Sequence, residues 1–486
     1  MTSTSLSKGS APIPRESGFD LEEEALSPPI LAFNGVHGAT GRYALEGVTL
    51  ETLLESFKGR SGRRRSGGRG VAHGVDPNDL SSAGWAVVFP LDGDPAVRNA
   101  VEPLLRHRAR QVDNERRFRI FEGEDGLLPG ESKGEFLARH GAGPGAVEPE
   151  TVPYYLLLVG GPEEVPWEFQ YQLDSQYAVG RLAFDSPWDY EAYAESQVAV
   201  ETGIPCRGRK AAFLAPCNPD DRATELSNQW LVSPLQETLA GTESWQIEAR
   251  LGAEADKVAY GRYFGGDATP ALLFTAGHGL CYGSGDPLQR SFQGALLCQD
   301  WPGPKAWRQA IPEEHFFACS DVASRADVRG LIAFFFACYG AGTPRFDDFD
   351  RTVRRRRSVI APKAMVSRLA QRLLAHPAGS ASAVIGHVER AWSYSFLWRS
   401  RAHVGVFEST LKGLLNGWTV GMAMEYFSYR LADLGSELLH ALENPESETQ
   451  RMEILQLWAA HHDARNYVVL GDPAVRLAVR ESPTDG

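Results

Sequence analysis

The chain lacks any run of about 18 consecutive apolar residues, which excludes a membrane-spanning helix. Its opening stretch, MTSTSLSKGSAPIPRESGFDLEEEA, has no apolar core of the kind a secretory signal needs. Cysteine is scarce: six residues in 486, at positions 206, 217, 281, 298, 319 and 338. None are spaced as C-x-x-C, so a disulfide framework, a zinc ribbon and a thioredoxin-type motif are all excluded. Basic residues are outnumbered, with 49 Lys and Arg against 62 Asp and Glu and a net charge of -13. That balance argues against nucleic acid as a partner. Glycine-rich pieces such as GVHGATG (35–41) lack the Gly-Lys-Ser/Thr ending of a phosphate-binding loop. No repeat of solenoid period is present. The expectation is a soluble, cytoplasmic protein with no metal or other cofactor.

What is present is apolar content of 43%, including 11 Trp, enough for at least one sizeable core. Residues 1–29 read as a flexible lead-in. Residues 30–150 read as an N-terminal region or divergent α/β subdomain, starting with a short strand at 30–33 and including a strand at 85–90. Residues 58–79 read as a Gly/Arg-rich loop, including GRSGRRRSGGRG (59–70), that is too polar and glycine-rich to pack. From 151 to 480 apolar runs alternate with helical stretches. YYLLLVGG (154–161), RKAAFLAP (209–216), ALLFTAGHG (271–279), GLIAFFFACYGAGTP (330–344) and SASAVIG (380–386) read as strands buried on both faces. Residues 185–202, with Ser186 as cap and Pro187 in the first turn, read as a helix, as do 223–239, 365–376 and 452–470. Residues 409–442 read as two helices broken near Asn416-Gly417. The pattern predicts an α/β protein: a largely parallel sheet flanked by helices in a three-layer α/β/α sandwich.

Two of the strands end in reactive residues. One closes on Ala276-Gly277-His278-Gly279 and the other on Ala337-Cys338-Tyr339-Gly340. Reactive groups in such sheets gather just beyond the C-terminal strand ends. A thiol is only partly ionised at neutral pH, and an adjacent imidazole activates it or protonates a leaving amine. The glycines keep the cleft open, and the backbone N–H groups of Gly279 and Cys338 are placed to face a developing oxyanion. His278 and Cys338 are therefore the candidate catalytic pair. His37, in a second His-Gly pair, is read as lying outside the site.

Phe336-Ala337-Cys338-Tyr339-Gly340 resembles the caspase signature at Ala, Cys and the final Gly, with a His upstream, and departs from it at the Gln and after the Cys. YLLLVGGPEEVP (155–166), YAVGRL (177–182), TAGHG (275–279), AWSYSF (391–396) and LGDPAVRL (470–477) resemble, in order, segments of the gingipain and CHAT branches of the same peptidase clan. The resemblance covers roughly residues 150–480. It implies a caspase-like fold and a cysteine endopeptidase working as a dyad, with His278 as acid and base and Cys338 as nucleophile. It implies a protein or peptide substrate, a regulatory protein partner, and a setting in prokaryotic signalling or defence.

SASAVIG resembles the strand that pairs with substrate in this clan, which makes Ser382, Ala383 and Val384 candidate substrate-binding residues. Trp392 is a candidate pocket wall. Asp174 is a candidate for the first pocket or for orienting the His, with Asp286 and Asp300 as further acidic candidates. An acidic pocket would select Arg or Lys. Residues 346–364, FDDFDRTVRRRRSVIAPKA, read as a charged solvated loop, with an activation or self-processing loop, cut at its arginines, as the functional alternative. The rival readings are a caspase-fold interaction or regulatory domain with latent or no activity, and another thiol hydrolase such as an amidase.

Overall fold

The computed structural model describes residues 35–43, 70–203, 207–351, 357–399, 401–443 and 448–480. The lead-in at 1–29, the expected strand at 30–33, most of the basic run at 59–70, Cys206 and Arg354–Arg356 lie outside the described residues.

The chain enters through a short strand, β1 (Gly35–His37), and then lays down β2 (Trp85–Val88), β3 (Phe118–Phe121), β4 (Tyr155–Val159) and β5 (Ala178–Leu182). β6 (Lys210–Ala215), β7 (Gln246–Leu251) and β8 (Leu272–Ala276) follow. Three short strands come next, β9 (Gly279–Cys281), β10 (Leu296–Leu297) and β11 (Phe316–Phe317), before β12 (Ile332–Phe336). Beyond it lie β13 (Gly342–Thr343), β14 (Phe346–Arg351), β15 (Arg357–Val359) and β16 (Met365–Val366). β17 (Ala383–His387), the small hairpin of β18 (Leu397–Trp398) and β19 (Arg401–Ala402), and β20 (Tyr467–Gly471) complete the set.

Ten strands form one sheet in the order β3-β2-β4-β5-β20-β17-β12-β8-β6-β7. Each half is parallel within itself, and the two halves meet antiparallel at β17–β20. The C-terminal ends of the halves therefore face opposite edges of the sheet. One edge gathers the ends of β6, β8, β12 and β17 with the starts of β5 and β20. The fold is α/β, a large and mostly parallel sheet flanked by helices on both faces. β2 and β3, from the N-terminal region, extend the same sheet: Trp85–Val88 pair with Tyr155–Leu158.

The continuous apolar run of β12 is explained by its position. Ile332, Phe334 and Phe336 join the core on one face, and Ala333, Phe335 and Ala337 the core on the other. All six are fully buried, and each phenylalanine contributes about 2–3 kcal/mol of transfer free energy. The helix Pro187–Thr202 starts as expected, Ser186 accepting a hydrogen bond from the Trp188 N–H with Pro187 in the first turn. The break near Asn416-Gly417 is also present: one helix ends at Leu415 and the next turn starts at Val420.

Two expectations are corrected. The last helix stops at Arg465 instead of running to 470, and Tyr467–Gly471 forms β20. Its Val468-Val469 pair suits a strand, and the sheet supplies partners on both sides. Residues 346–349 are not a solvated loop: β14 and β15 form a hairpin, and Asp347, Asp348 and Phe349 are buried.

Candidate active site

β8 and β12 are neighbours, with Ala276 opposite Phe336. The Gly277 N–H continues the pairing by donating to the Phe336 carbonyl at 3.1 Å. His278 and Cys338 thus follow paired strands at equivalent positions. The close approach needs Gly279, since a Cβ there would lie 1.8 Å from the Cys338 carbonyl oxygen. Gly294, at φ +80°, meets the next carbonyl: its Cβ would fall 2.2 Å from the Tyr339 oxygen. No side chain fits at either position.

A residue that sequence reasoning missed orients the imidazole. Asp221, in the segment between neighbouring β6 and the helix Arg222–Ser227, places Oδ2 2.8 Å from His278 Nε2. The same carboxylate accepts from Thr224 Oγ1 at 2.6 Å and, through Oδ1, from the Tyr43 hydroxyl at 2.7 Å. Burial works against the charged form of Asp221, but electrostatic attraction to the imidazole and the bonds from His278, Thr224 and Tyr43 outweigh it and hold the carboxyl at about 2. A carboxylate at Nε2 fixes the proton there and leaves the lone pair on Nδ1, which is buried without a hydrogen-bond partner. The Tyr43 and Trp301 rings pack on the imidazole at 5.8 and 6.0 Å. Tyr43 arrives because β1 adds to β9, with Gly35 opposite Gly279 and His37 opposite Cys281. The His37 segment, read as remote, flanks the site.

Cys338 and His278 are both 0% exposed. The sulfur faces the turn after β17, where the Ala391 N–H donates to Sγ at 3.2 Å. Burial pushes the thiol well above its ordinary value, with the Ala391 N–H acting in the opposite sense. No hydrogen bond joins Cys338 to His278. Two non-glycine residues beside the sulfur occupy the left-handed region, Tyr339 at φ 58° and Glu389 at φ 86°. Each such residue costs on the order of 1–3 kcal/mol. The Tyr339 N–H donates to the Glu389 carbonyl at 2.6 Å, tying the two turns together.

The remaining candidates separate. Trp392 is at the site, fully buried one residue beyond Ala391, its N–H donating to Asp463 Oδ1 at 2.9 Å. Asp463 also meets His387, whose Nε2 lies 3.0 Å from the Asp463 carbonyl and whose Nδ1 is buried without a partner. This second His–Asp pair, at the end of β17, was also missed. Ser382, Ala383 and Val384 are not at the site. They lie where β17 begins, at the opposite edge, and Ala383 and Val384 are paired on one side with β12 and on the other with β20. No edge is left for a substrate strand. Asp174 lies on the site's own edge but beside β5, three strand spacings from β12, about 14 Å at the usual ~4.8 Å. It lines a small cavity of about 20 Å³ with Tyr177, Glu425 and Arg465. Asp286 accepts from the Leu288 N–H at 2.8 Å within a local turn, and Asp300 accepts from the Lys257 N–H at 2.7 Å, 43 residues away along the chain. Among the described residues no group of three or more His, Cys, Asp or Glu is arranged to hold a metal, and no helix is long and apolar enough to cross a membrane.

No protein-family model and no curated protein sequence matches the chain. Solved structures of similar shape include a protease at 11% identity, with a TM-score of 0.46 over 82% of this chain and 79% of that one. Another is the complex of Porphyromonas gingivalis RgpB pro- and mature domains, at 14% identity and a TM-score of 0.43 over 82% and 80%. The Saccharomyces cerevisiae separase–securin complex is similar at 11% identity, with a TM-score of 0.32 over 66% of this chain and 16% of that one.

Proposed function

We propose that the chain is a cysteine-type endopeptidase. The observation that carries this reading is the placement of His278 and Cys338 after paired, in-register strands, with the Asp221 carboxylate on the imidazole. On this reading the Cys338 thiol gives its proton to His278 Nδ1, and the thiolate attacks a peptide carbonyl. The backbone N–H groups of Gly279 and Cys338 receive the oxyanion. His278 returns the proton to the departing amine, leaving a thioester on Cys338 that water hydrolyses with His278 as base. Asp221 keeps the proton on Nε2 and stabilises the imidazolium. No cofactor enters the scheme.

A second reading, a caspase-fold interaction or regulatory domain with latent or no activity, draws support from one observation: both candidate residues are fully buried and unconnected. Peptide-library cleavage by the wild type, with Cys338→Ala as control, separates the two. Cleavage lost in the variant supports the peptidase. Equal traces from both, after every activation tried, would sink it. The library carries Arg and Lys before the scissile bond, the preference expected if an acidic side chain lines the first pocket.

A further inference from the structure

We propose that the β14–β15 hairpin is a latch that keeps the candidate site closed by gripping the turn that covers Cys338. The inference rests on reading Cys338 as a nucleophile, and it concerns access to the sulfur instead of turnover.

The turn is residues 389–392. Ala391 sits on the sulfur, its N–H 3.2 Å and its carbonyl oxygen 3.9 Å from Sγ. In that position the sulfur bonds to Ala391, while His278 Nδ1 has no partner. A peptide carbonyl cannot reach a sulfur that is 0% exposed. Substrate entry therefore requires the turn to move.

Three successive hairpin residues hold the turn on both sides of Ala391. The Asp347 carboxylate pairs with the Arg390 guanidinium. The Asp348 N–H donates to Glu389 Oε2 at 3.2 Å. The Asp348 carboxylate is anchored to Arg465 and lies 3.7 Å from Arg357 on the partner strand. The Phe349 ring packs on Trp392 at 5.0 Å and on Trp458 at 5.7 Å. Residues 389, 390 and 392 each have a hairpin partner, and residue 391 carries the contact to sulfur. Glu389 is held at φ 86°, which an L-residue adopts only under constraint. Release of the hairpin removes the hold on the side chains of Glu389, Arg390 and Trp392 and leaves Glu389 fixed by two backbone bonds, to Gly342 and from Tyr339. The turn is then free to relax, Ala391 leaves Sγ, and the side chain can rotate toward Nδ1 of His278.

The hairpin suits a part that lifts. Phe346 and Val359, paired across it, are 37% and 48% exposed, so its outer side is not packed into a core. Among the described residues, its contacts with the turn are those of Asp347, Asp348 and the Phe349 ring. By contrast, Cys338 follows the central strand β12, paired on both sides.

Alkylation with iodoacetamide, read residue by residue by mass spectrometry, tests this without any need for turnover. In the native wild type Cys338 is expected to label at least 100-fold more slowly than the partly exposed Cys319. Asp347→Asn with Asp348→Asn, and separately Phe349→Ala, are expected to speed Cys338 labelling at least tenfold while fully buried Cys298 stays protected. Labelling of wild-type Cys338 at the rate of Cys319, or no acceleration in the folded variants, would overturn the proposal. If Cys298 opens as well, the variant has loosened globally, and hydrogen exchange of the wild type decides. The amides of Asp348, Phe349 and Ala391 are expected to exchange through one shared opening, at least tenfold faster than those of β12. Protection of Ala391 equal to that of β12 would overturn it. A protein that labels as expected but cleaves nothing keeps the latch and loses the peptidase reading. One that cleaves, with no effect of the hairpin variants on labelling, does the reverse.

Discussion

Two buried acid clusters sit at opposite edges of one sheet, and they differ in how completely they are satisfied. At the end of β20, Asp472 accepts from Trp85 Nε1 at 3.1 Å and the Ala474 N–H at 3.0 Å through one oxygen, and from Arg108 Nε at 2.7 Å through the other. The rest of the Arg108 guanidinium meets Glu201 at 2.6 Å, where burial opposes ionisation but the Arg108 charge wins and holds the Glu201 carboxyl at about 2. That cluster ties the N-terminal region to the last strand. At the other edge Asp221 is equally well bonded, yet its partner His278 leaves Nδ1 unpaired, as does His387 on the far side of Cys338. Two left-handed residues lie between them. Depressed carboxyl pKa values are common to both places, so they do not mark function. Unpaired buried nitrogen and strained backbone beside a thiol distinguish the second cluster.

The comparison can be broken most forcefully at Asp472. Asp472→Ala leaves Arg108 half-paired in the interior, with an expected loss of about 3–5 kcal/mol of stability, measured by urea unfolding. Alkylation and cleavage at Cys338 should be unchanged in the protein that remains folded. A loss of only a few tenths of a kcal/mol would show that the cluster is not the structural one.

Asp221→Asn addresses the other side. Turnover is expected to fall on the order of 10²-fold through loss of imidazole orientation. The stability cost should be about 2.5 kcal/mol at neutral pH, from a carboxyl shifted by roughly two pKa units. Because the folded-state pKa is lowered, to about 2, that contribution is present above the ordinary carboxylate value near ~4 and fades as pH falls toward 2. Wild-type stability should therefore drop across that window more steeply than the variant's. Parallel pH profiles would sink this account.

Tyr43→Phe gives the smallest effect. One hydrogen bond to a carboxylate that keeps two others is worth about 1.5 kcal/mol, the low end for a charged acceptor. A turnover loss beyond about tenfold would mean that the N-terminal segment does more than support Asp221.

The legible parts of this site were those written locally. FFFACYGAG shows a strand buried on both faces followed by a turn, because continuous apolar residues have no solvated side to offer. TAGHG shows the same, and the rule that chemistry collects past parallel strand ends joined them. That rule, applied to RKAAFLAP and the DD that follows it, would also have pointed to Asp221. Its distance of 57 residues from His278 hid it. Tyr43, 178 residues from Asp221, left no local trace. SASAVIG misled because a small-residue strand reads alike whether its edge is free or paired, and pairing with β20 became visible only once the last helix was seen to stop at Arg465.

Short-range patterns of burial and turn in the sequence suffice for the class of fold, the position of the central strand and the choice of His278 and Cys338 as candidates. Strand pairing in three dimensions is what brings Asp221 and Tyr43 to His278, sets Asp174 three strands away and puts the Ala391 N–H on the Cys338 sulfur. Those facts depend on which strands lie side by side. Strand order is set by long-range pairing, in which residues distant along the chain share one edge of the sheet.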